Sequence, residues 1–187
     1  PLTNVALALS ADPTLPSRLG GITIMGGSAS SGNVTARAEF NIWADPEAAA
    51  IVFREGGPLT MVGLDITHQV LMGQTELARL RSAENRASGL AADLLEYAMA
   101  RALDMRGWSG APIHDASALI AITHPHLFDG DTHPVDVELT GSLTRGMTVV
   151  DDRPHRDGDA RTRVLRTVDA PAVASSIVDA VTTLGRA

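Results

Sequence analysis

Short apolar runs alternate with a helical pattern along the first half of the chain. Residues 22–25 form one apolar run, which ends at two glycines, and residues 59–64 form another. Between them, Asp45 precedes Pro46, a pair that suits the cap and the first position of a helix. A strand, a helix and a strand at this spacing predict a right-handed parallel crossover, and therefore an α/β fold.

The second half of the chain combines helices with a strand-rich segment. Apolar positions recur at helical spacing over residues 86–106, and Gly107 follows as a stop signal. A shorter helix is predicted after Asp115. The remaining predicted elements are strands over 135–139, 143–150 and 161–168, a charged segment over 152–159 and a helix over 171–184. We expect one domain over residues 1–187, built on an open, mostly parallel sheet flanked by helices.

The composition narrows the function classes. Without cysteine, disulfides and thiolate metal sites are impossible, and 22 acidic against 15 basic residues give a net charge of −7. Such a surface disfavours nucleic acid and anionic membranes as partners. No apolar run approaches the roughly 18 residues of a membrane span, and no export signal is apparent. We therefore expect a cytoplasmic protein.

Two amides and a carboxylate follow the first predicted strand, which ends at Met25. Asn33, Glu39 and Asn41 lie within nine positions of a single strand-to-helix connection. A carboxamide both donates and accepts hydrogen bonds, whereas an ionised carboxylate only accepts, so the set could bind neighbouring hydroxyls of a sugar. The alternative is that both asparagines are turn residues and that Glu39 is a solvated charge.

A second group of candidates lies at two predicted helix starts. Asp115 could bind a hard cation and His114 could transfer protons near neutral pH. Alternatively, Asp115 caps the helix and His114 is an ordinary loop side chain. At the start of the chain, Thr3 or Asn4 could be the N-cap of a helix predicted over residues 5–10.

Eight short motifs, taken in order, resemble one known family. Each motif is weak alone, but their order and spacing are specific from Pro1 to the last predicted helix. The motifs are Pro1-Leu2-Thr3-Asn4, Met25-Gly26-Gly27, Gly32-Asn33, Glu39-Phe40-Asn41-Ile42, Asp45-Pro46-Glu47-Ala48-Ala49, residues 60–67, His114-Asp115 and Thr144-Arg145-Gly146-Met147-Thr148. Together they resemble the inosine-uridine preferring nucleoside hydrolases.

This resemblance implies a calcium-dependent N-ribohydrolase that cleaves the bond between ribose C1′ and a purine or pyrimidine base. Its substrate would be a small-molecule nucleoside. By motif position, Thr3 would offer its backbone carbonyl, and Asp115 its carboxylate, to Ca²⁺. His114 would be the general acid that faces the departing base. The presence of histidine directly before the metal-binding aspartate resembles the pattern of the inosine-uridine subgroup of this family.

The resemblance also implies a ribose site. Its lining residues would be Met25, Asn33, Glu39 and Asn41. Asn33 and Glu39 would lie toward the 5′ side of the sugar, and Asn41 would be among the groups that bind the ring hydroxyls.

The chain departs from the family pattern at the metal site. Family members have an Asp-rich D-x-D-P-G-x-D-D segment that supplies most calcium oxygens, and no such segment occurs here. Because Ca²⁺ takes roughly 6 to 8 oxygens, we expect an incomplete calcium site in an N-terminally truncated chain that is inactive alone. We also expect a homo-oligomer, since a missing part of the sheet would expose apolar surface. The alternatives are a non-catalytic nucleoside- or sugar-binding module and a structural remnant.

Overall fold

The computed structural model describes residues 1–154 and 160–184. The helices are α1 Thr3–Ala11, α2 Leu15–Arg18, α3 Phe40–Ala44, α4 Pro46–Glu55, α5 Leu64–Thr67, α6 Gln74–Ser82, α7 Arg86–Arg106, α8 Asp115–Thr123 and α9 Ala170–Thr183. The strands are β1 Ile22–Met25, β2 Leu59–Val62, β3 Leu71–Met72, β4 Ala111–Pro112, β5 Phe128–His133, β6 Val135–Val137, β7 Thr148–Val150 and β8 Thr162–Val168. A 3₁₀ turn, Pro125–Leu127, precedes β5.

The chain divides into two compact units. The first is Pro1–Ile66 with Asp129–Thr167, and the second is Thr67–Phe128 with Val168–Ala187. Each unit has its own cluster of buried apolar side chains. Compact units of this kind also occur within one domain, so the single domain expected over residues 1–187 stays a prediction.

The first unit is built around a four-stranded sheet with the order β1-β2-β8-β5. Strand β1 pairs with β2 in parallel, with Ile24 opposite Met61, and β2 pairs with β8 in parallel, with Met61 opposite Val164. These three side chains are buried in the apolar cluster of the unit. Parallel strands are covered on both faces, which explains why β1 and β2 are apolar runs. The predicted α/β class with a mostly parallel sheet is confirmed.

The carboxylate of Asp45 joins the starts of two helices in the first unit. Asp45 Oδ1 accepts a hydrogen bond from Ala48 N at 3.1 Å, as predicted for the cap of α4. Thr3 Oγ1 donates to Asp45 Oδ2 at 2.5 Å. The Thr3 hydroxyl, followed by the Ala48 amide, lowers the pKa of Asp45. Helix α1 begins at Thr3 and not at residue 5 as predicted. Its N-cap is Leu2, so neither Thr3 nor Asn4 has this role.

Helix α7 dominates the second unit and has the predicted bounds. Gly107 follows it in the left-handed conformation, with φ of 68°, and its N–H donates to Leu103 O at 2.9 Å. The apolar side chains of α6, α7 and α9 form the core of this unit with the short antiparallel pair β3 and β4. An ion pair between Arg79 and Asp179 links α6 to α9 at 2.7 Å.

Some predicted elements end elsewhere or have a different form. The strand predicted over 59–64 ends at Val62, because α5 begins at Leu64. Only Thr148–Val150 of the strand predicted over 143–150 is extended. Before it, Met147 N donates to Thr144 O at 2.8 Å and Gly146 has φ of 81°, so this part is a turn that leads into the β6–β7 pair. Residues 155–159 of the predicted charged segment lie outside the described residues.

Several elements were not predicted. They are short, namely α2, α3, α5, β3 and β4, or they lack strong periodic apolar positions, namely α6 and β5. Within residues 1–154 and 160–184, no helix combines the length and the apolar character that crossing a membrane requires.

Candidate functional site

The candidate site of the first unit begins where β1 ends. Met25 is the last residue of β1, and the next two residues remain tied to the neighbouring strand end. Gly26 N donates to Val62 O at 3.3 Å, and Gly27 O accepts from Leu64 N at 2.9 Å. Because β1 and β2 are parallel, this is the carboxyl edge of the sheet, where α/β proteins bind their ligands.

Glu39 is a buried carboxylate that organises this edge. Its residue is only 3% exposed. One oxygen, Oε2, accepts hydrogen bonds from Gly27 N at 3.0 Å, Asn41 N at 2.9 Å and Ile42 N at 3.2 Å. Glu39 is thus the N-cap of α3 and also holds the loop after β1. The interpretation of Glu39 as a solvated charge is therefore wrong. The other oxygen, Oε1, has no hydrogen-bond partner within the described part of the chain.

Asn41 lies beside Glu39 in the first turn of α3. Its Nδ2 donates to Met25 O at 3.2 Å and approaches Met25 Sδ at 3.4 Å. These contacts orient the amide, and its Oδ1 has no hydrogen-bond partner among the residues described. The structure therefore brings Met25, Glu39 and Asn41 together. Glu39 Oε1 and Asn41 Oδ1 are the two acceptors of this group that remain for a ligand.

Asn33 supports the same connection from an exposed position. Its Oδ1 accepts a hydrogen bond from Phe40 N at 2.9 Å, and its backbone N–H donates to Ala38 O at 3.1 Å. These bonds close the loop that leads from β1 into α3. Asn33 thus fits the turn-residue interpretation, and its side chain also fixes the residue that follows Glu39.

Thr148 and Asp65 brace the loop after β1, although the sequence assigned them no role. Thr148 Oγ1 accepts from Ser28 N at 2.9 Å and donates to Ser28 O at 2.6 Å. Asp65 Oδ2 accepts from Ala29 N at 2.7 Å. Gly27 is required here, because its φ is +76° and a Cβ would lie 2.9 Å from Thr148 Cγ2. The two motifs that contain Thr148 and Asp65 were the only signal available.

The candidate site of the second unit is centred on His114. Its Nδ1 lies 2.9 Å from Thr67 Oγ1, and Thr67 is fully buried. The His68 ring lies 6.0 Å from the His114 ring, centroid to centroid, and 4.9 Å from that of Trp108 in an edge-on arrangement. His114 is therefore held by a specific contact and is not an ordinary loop side chain.

Asp115 is exposed at the first position of α8. The N-cap position belongs to His114, and no side chain caps this helix, so the interpretation of Asp115 as a cap is wrong. Its carboxylate has no hydrogen bond or ion pair with any residue described here. Thr3, the other metal-ligand candidate, lies in the first unit.

The donors present do not make up a calcium site. Over residues 1–154 and 160–184, no group of three or more histidine, aspartate or glutamate side chains could hold a metal ion. One carboxylate and one backbone carbonyl fall far short of the roughly 6 to 8 oxygens that Ca²⁺ takes. The residues described here therefore do not hold Ca²⁺ by themselves, and the incomplete calcium site expected from the sequence stays a prediction.

The fold is that of an α/β protein, a class whose small-molecule ligands bind at the carboxyl edge of the parallel sheet. The whole length of the described sheet and site lies within residues 1–175, which match the inosine-uridine preferring nucleoside hydrolase family. The chain belongs to this family.

The named relatives match most of this chain, and each of them is longer than it. The pyrimidine-specific ribonucleoside hydrolase RihA of Shewanella woodyi is 40% identical over 187 residues, which are 100% of this chain and 60% of the relative. RihA of Photobacterium profundum is 43% identical over 88% of this chain and 54% of its own length. Among solved structures, the purine-preferring ribonucleoside hydrolase of Gardnerella vaginalis is 33% identical with a TM-score of 0.90, covering 100% of this chain and 59% of its own.

Proposed function

We propose that this chain forms the ribose-binding and leaving-group parts of a ribonucleoside N-ribohydrolase, which converts a nucleoside and water into ribose and a free base. Family membership supports the reaction class. The observation on which the proposal depends is the pair Glu39 and Asn41. Both side chains are anchored by one polar atom, Glu39 by Oε2 and Asn41 by Nδ2, and each keeps one oxygen without a partner in the described chain.

The pair suits the charge that develops during the reaction. Breaking the C1′–N bond gives the ribose ring oxocarbenium character, which nearby oxygen atoms stabilise electrostatically. Glu39 Oε1 and Asn41 Oδ1 would accept hydrogen bonds from ribose hydroxyls, and these bonds would strengthen as positive charge builds on the ring. Met25 would line the same wall, and Asn33 would lie toward the 5′ side.

His114 would supply the proton that the departing base needs. The electron pair of the C1′–N bond leaves on the base nitrogen, which takes a proton from the His114 imidazolium. A water molecule gives its oxygen to C1′ and loses one proton to solvent, and His114 regains one from solvent, so the net products are ribose and the neutral base. A positioned general acid of this kind is worth about 10² to 10⁴ in rate.

Calcium belongs to the proposal only with additional donors. Asp115 has an accessible carboxylate, and the backbone carbonyl of Thr3 would be a second oxygen, but the ion needs several more. Hydrolysis is therefore proposed for a protein that adds oxygen ligands to these two. A titration of this chain alone should give only weak calcium binding. A tight, stoichiometric site measured by calorimetry would contradict this part of the proposal.

The incomplete donor set favours one second candidate, a nucleoside-binding module that does not hydrolyse its ligand. It would use the same ribose wall of Glu39 and Asn41. Equilibrium dialysis of the protein that contains this chain with Ca²⁺ and labelled inosine or uridine, followed by chromatography of the recovered ligand, separates the two functions. Bound and intact nucleoside supports the module, whereas free base supports the hydrolase.

Two substitutions test the hydrolase directly in the protein that contains this chain. Asn41→Ala should lower kcat/KM about 10- to 100-fold on every nucleoside, because the ribose is common to all of them. His114→Ala should slow natural nucleosides by about 10² or more but largely spare p-nitrophenyl riboside, whose leaving group needs no proton. Base release is measured by chromatography.

A matched control is Asn4→Ala, which removes the same amide from an exposed position on α1. It should leave every rate constant unchanged. Equal losses on nucleosides and on the nitrophenyl riboside would remove His114 from the role of general acid. Full activity in Asn41→Ala would contradict the ribose site itself.

Self-association and a cytoplasmic location remain part of the proposal. Exposed apolar residues on α7, among them Leu90 and Tyr97, support association with a second copy. Sedimentation velocity across a range of concentrations checks this expectation, and a monomer throughout would contradict it.

A further inference from the structure

We propose that Thr67 is a positioning residue for His114, which determines the ring nitrogen through which His114 exchanges its proton. The inference rests on the proposed function, in which His114 protonates the leaving base. It adds a residue to that reaction on the evidence of one buried contact. Thr67 Oγ1 lies 2.9 Å from His114 Nδ1, and the Thr67 residue is 0% exposed.

The pairing of β3 with β4 brings the side chains of Thr67 and His114 together, although these residues are 47 positions apart in the chain. Strands β3 and β4 run antiparallel, with Leu71 opposite Pro112. The pairing continues by one residue toward the site, where Ile113 N donates to Val70 O at 3.0 Å. Thr67 precedes the first strand and His114 follows the second, so this pairing sets the distance between them.

The backbone of His114 is also fixed on its other side. Ser117 N donates to His114 O at 3.1 Å, and Ser117 Oγ donates to Ile113 O at 2.6 Å. With the main chain held at both ends, only the two side-chain torsions of His114 can vary. The Thr67 contact selects the ring orientation in which Nδ1 faces the interior of the unit.

A threonine hydroxyl suits this task because its oxygen can accept a hydrogen bond from a ring N–H. When the ring is protonated at both nitrogens, Nδ1–H donates to Thr67 Oγ1. When the ring is neutral after Nε2 has given up its proton, Nδ1 keeps its own proton and the same hydrogen bond to Thr67 Oγ1. Nδ1 has the same partner in both states, and the ring need not turn during a catalytic cycle.

Proton exchange with the substrate then uses Nε2. The Nε2–H bond breaks and its electron pair stays on the nitrogen, while the proton joins the base nitrogen that received the electron pair of the C1′–N bond. Water provides the oxygen that bonds to C1′ and loses one proton to solvent, and Nε2 takes up one proton from solvent before the next cycle. Thr67 gains and loses no proton over the cycle, which makes it a positioning residue and not a catalytic one.

Nitrogen NMR of the protein that contains this chain tests the contact without reference to activity. With histidine labelled with ¹⁵N, neutral His114 should show one tautomer, with Nδ1 protonated and hydrogen-bonded to Thr67 Oγ1. His114→Gln assigns the signals. Thr67→Val, which keeps the side-chain shape, should shift the Nδ1 signal and increase the Nε2–H tautomer. Thr67→Ser should restore the original spectrum.

A matched control is Thr162→Val in β8, a buried threonine that is 2% exposed. It should leave the His114 signals unchanged. Thermal unfolding of each variant verifies that the fold is kept. Unchanged His114 signals in folded Thr67→Val would overturn the inference, and so would an equal change in the Thr162 control.

Kinetics provides the second readout. Thr67→Val should lower kcat on inosine and uridine about 3- to 10-fold, as expected for the loss of one hydrogen bond, while KM and the rate on p-nitrophenyl riboside stay constant. Thr67→Ser should keep most of the activity. An equal loss on both substrate types would overturn the positioning role. The predicted NMR changes in a protein that hydrolyses no nucleoside would support the Thr67–His114 contact and overturn the proposed function instead.

Discussion

Removing the Glu39 carboxylate should destabilise the first unit more than any other change to its ribose wall. Glu39 is 3% exposed, and its Oε2 accepts three backbone N–H groups. Two of the donors, Gly27 and Ile42, are themselves buried. In Glu39→Ala these donors lose their acceptor in a place where water reaches them poorly.

The magnitude follows from the value of each contact. Loss of an N-cap costs about 0.5 to 2 kcal/mol, and each buried donor left unsatisfied costs about 1 to 3 kcal/mol. These effects share one carboxylate and are not additive, since water can enter the space that the side chain leaves. We expect Glu39→Ala to lower the free energy of unfolding by about 3 kcal/mol. Glu39→Gln, which keeps a neutral acceptor oxygen, should lose about 1 kcal/mol.

Urea denaturation followed by circular dichroism measures both changes. The matched control is Glu47→Ala, because Glu47 is an exposed glutamate near the start of the adjacent helix and is paired with Arg145 at 2.7 Å. Solvent screens such an exposed ion pair, so its loss should be much smaller than that of Glu39→Ala. A loss below about 1 kcal/mol in Glu39→Ala would refute the assignment of Oε2 as the acceptor that holds the loop and the helix together.

Three further predictions concern single contacts. Thr3→Val should raise the pKa of Asp45 toward its ordinary value, as measured by carboxyl NMR. A lowered pKa stabilises the fold fully above the ordinary value and no longer does so below the lowered one, so the stability difference between the variant and the unsubstituted protein should disappear as the pH falls through the Asp45 pKa. A difference that persists at lower pH would contradict the prediction. Ser88→Ala should raise the free energy of unfolding in urea by about 1 kcal/mol, because the buried Ser88 Oγ has no hydrogen-bond partner among the described residues; a loss of stability would show that the hydroxyl is satisfied. Gly107→Ala should lower the melting temperature, by the equivalent of about 1 kcal/mol, because Gly107 has φ of +68°. Gly89→Ala should raise it by a similar amount, because Gly89 lies within α7, where alanine is the better helix former. Shifts of the same sign would contradict this pair of predictions.

The elements that the sequence predicts well are those with local signals. Helix α4 has its cap and its proline at adjacent positions, and α7 is long, periodic and followed by Gly107. Helix α3 was missed because it has only five residues and its cap, Glu39, is not one of the usual capping residues. The turn before β7 was missed because the apolar residues Leu143 and Met147 at its two ends extend the strand pattern, and Gly146 alone did not interrupt it.

The contacts of the candidate site depend on residues far apart in the chain, and no spacing rule reveals them. Gly27 and Glu39 are 12 positions apart, and Ser28 and Thr148 are 120 positions apart. The family motifs indicated that these positions matter but not which atoms meet. For that reason the sequence left Glu39 open between a sugar ligand and a solvated charge, and the buried cap was not considered.

A side chain with two polar atoms can have a structural role and a functional role at the same time. Glu39 binds three amides through Oε2, Asn41 binds Met25 through Nδ2, and His114 contacts Thr67 through Nδ1. In each case one atom fixes the orientation of the side chain, and this fixes where the second atom points. A ligand that meets such preorganised groups does not have to order them on binding. Substitutions that remove both atoms therefore mix folding with function, whereas Glu39→Gln and Thr67→Ser, which keep the anchoring contact, can separate the two.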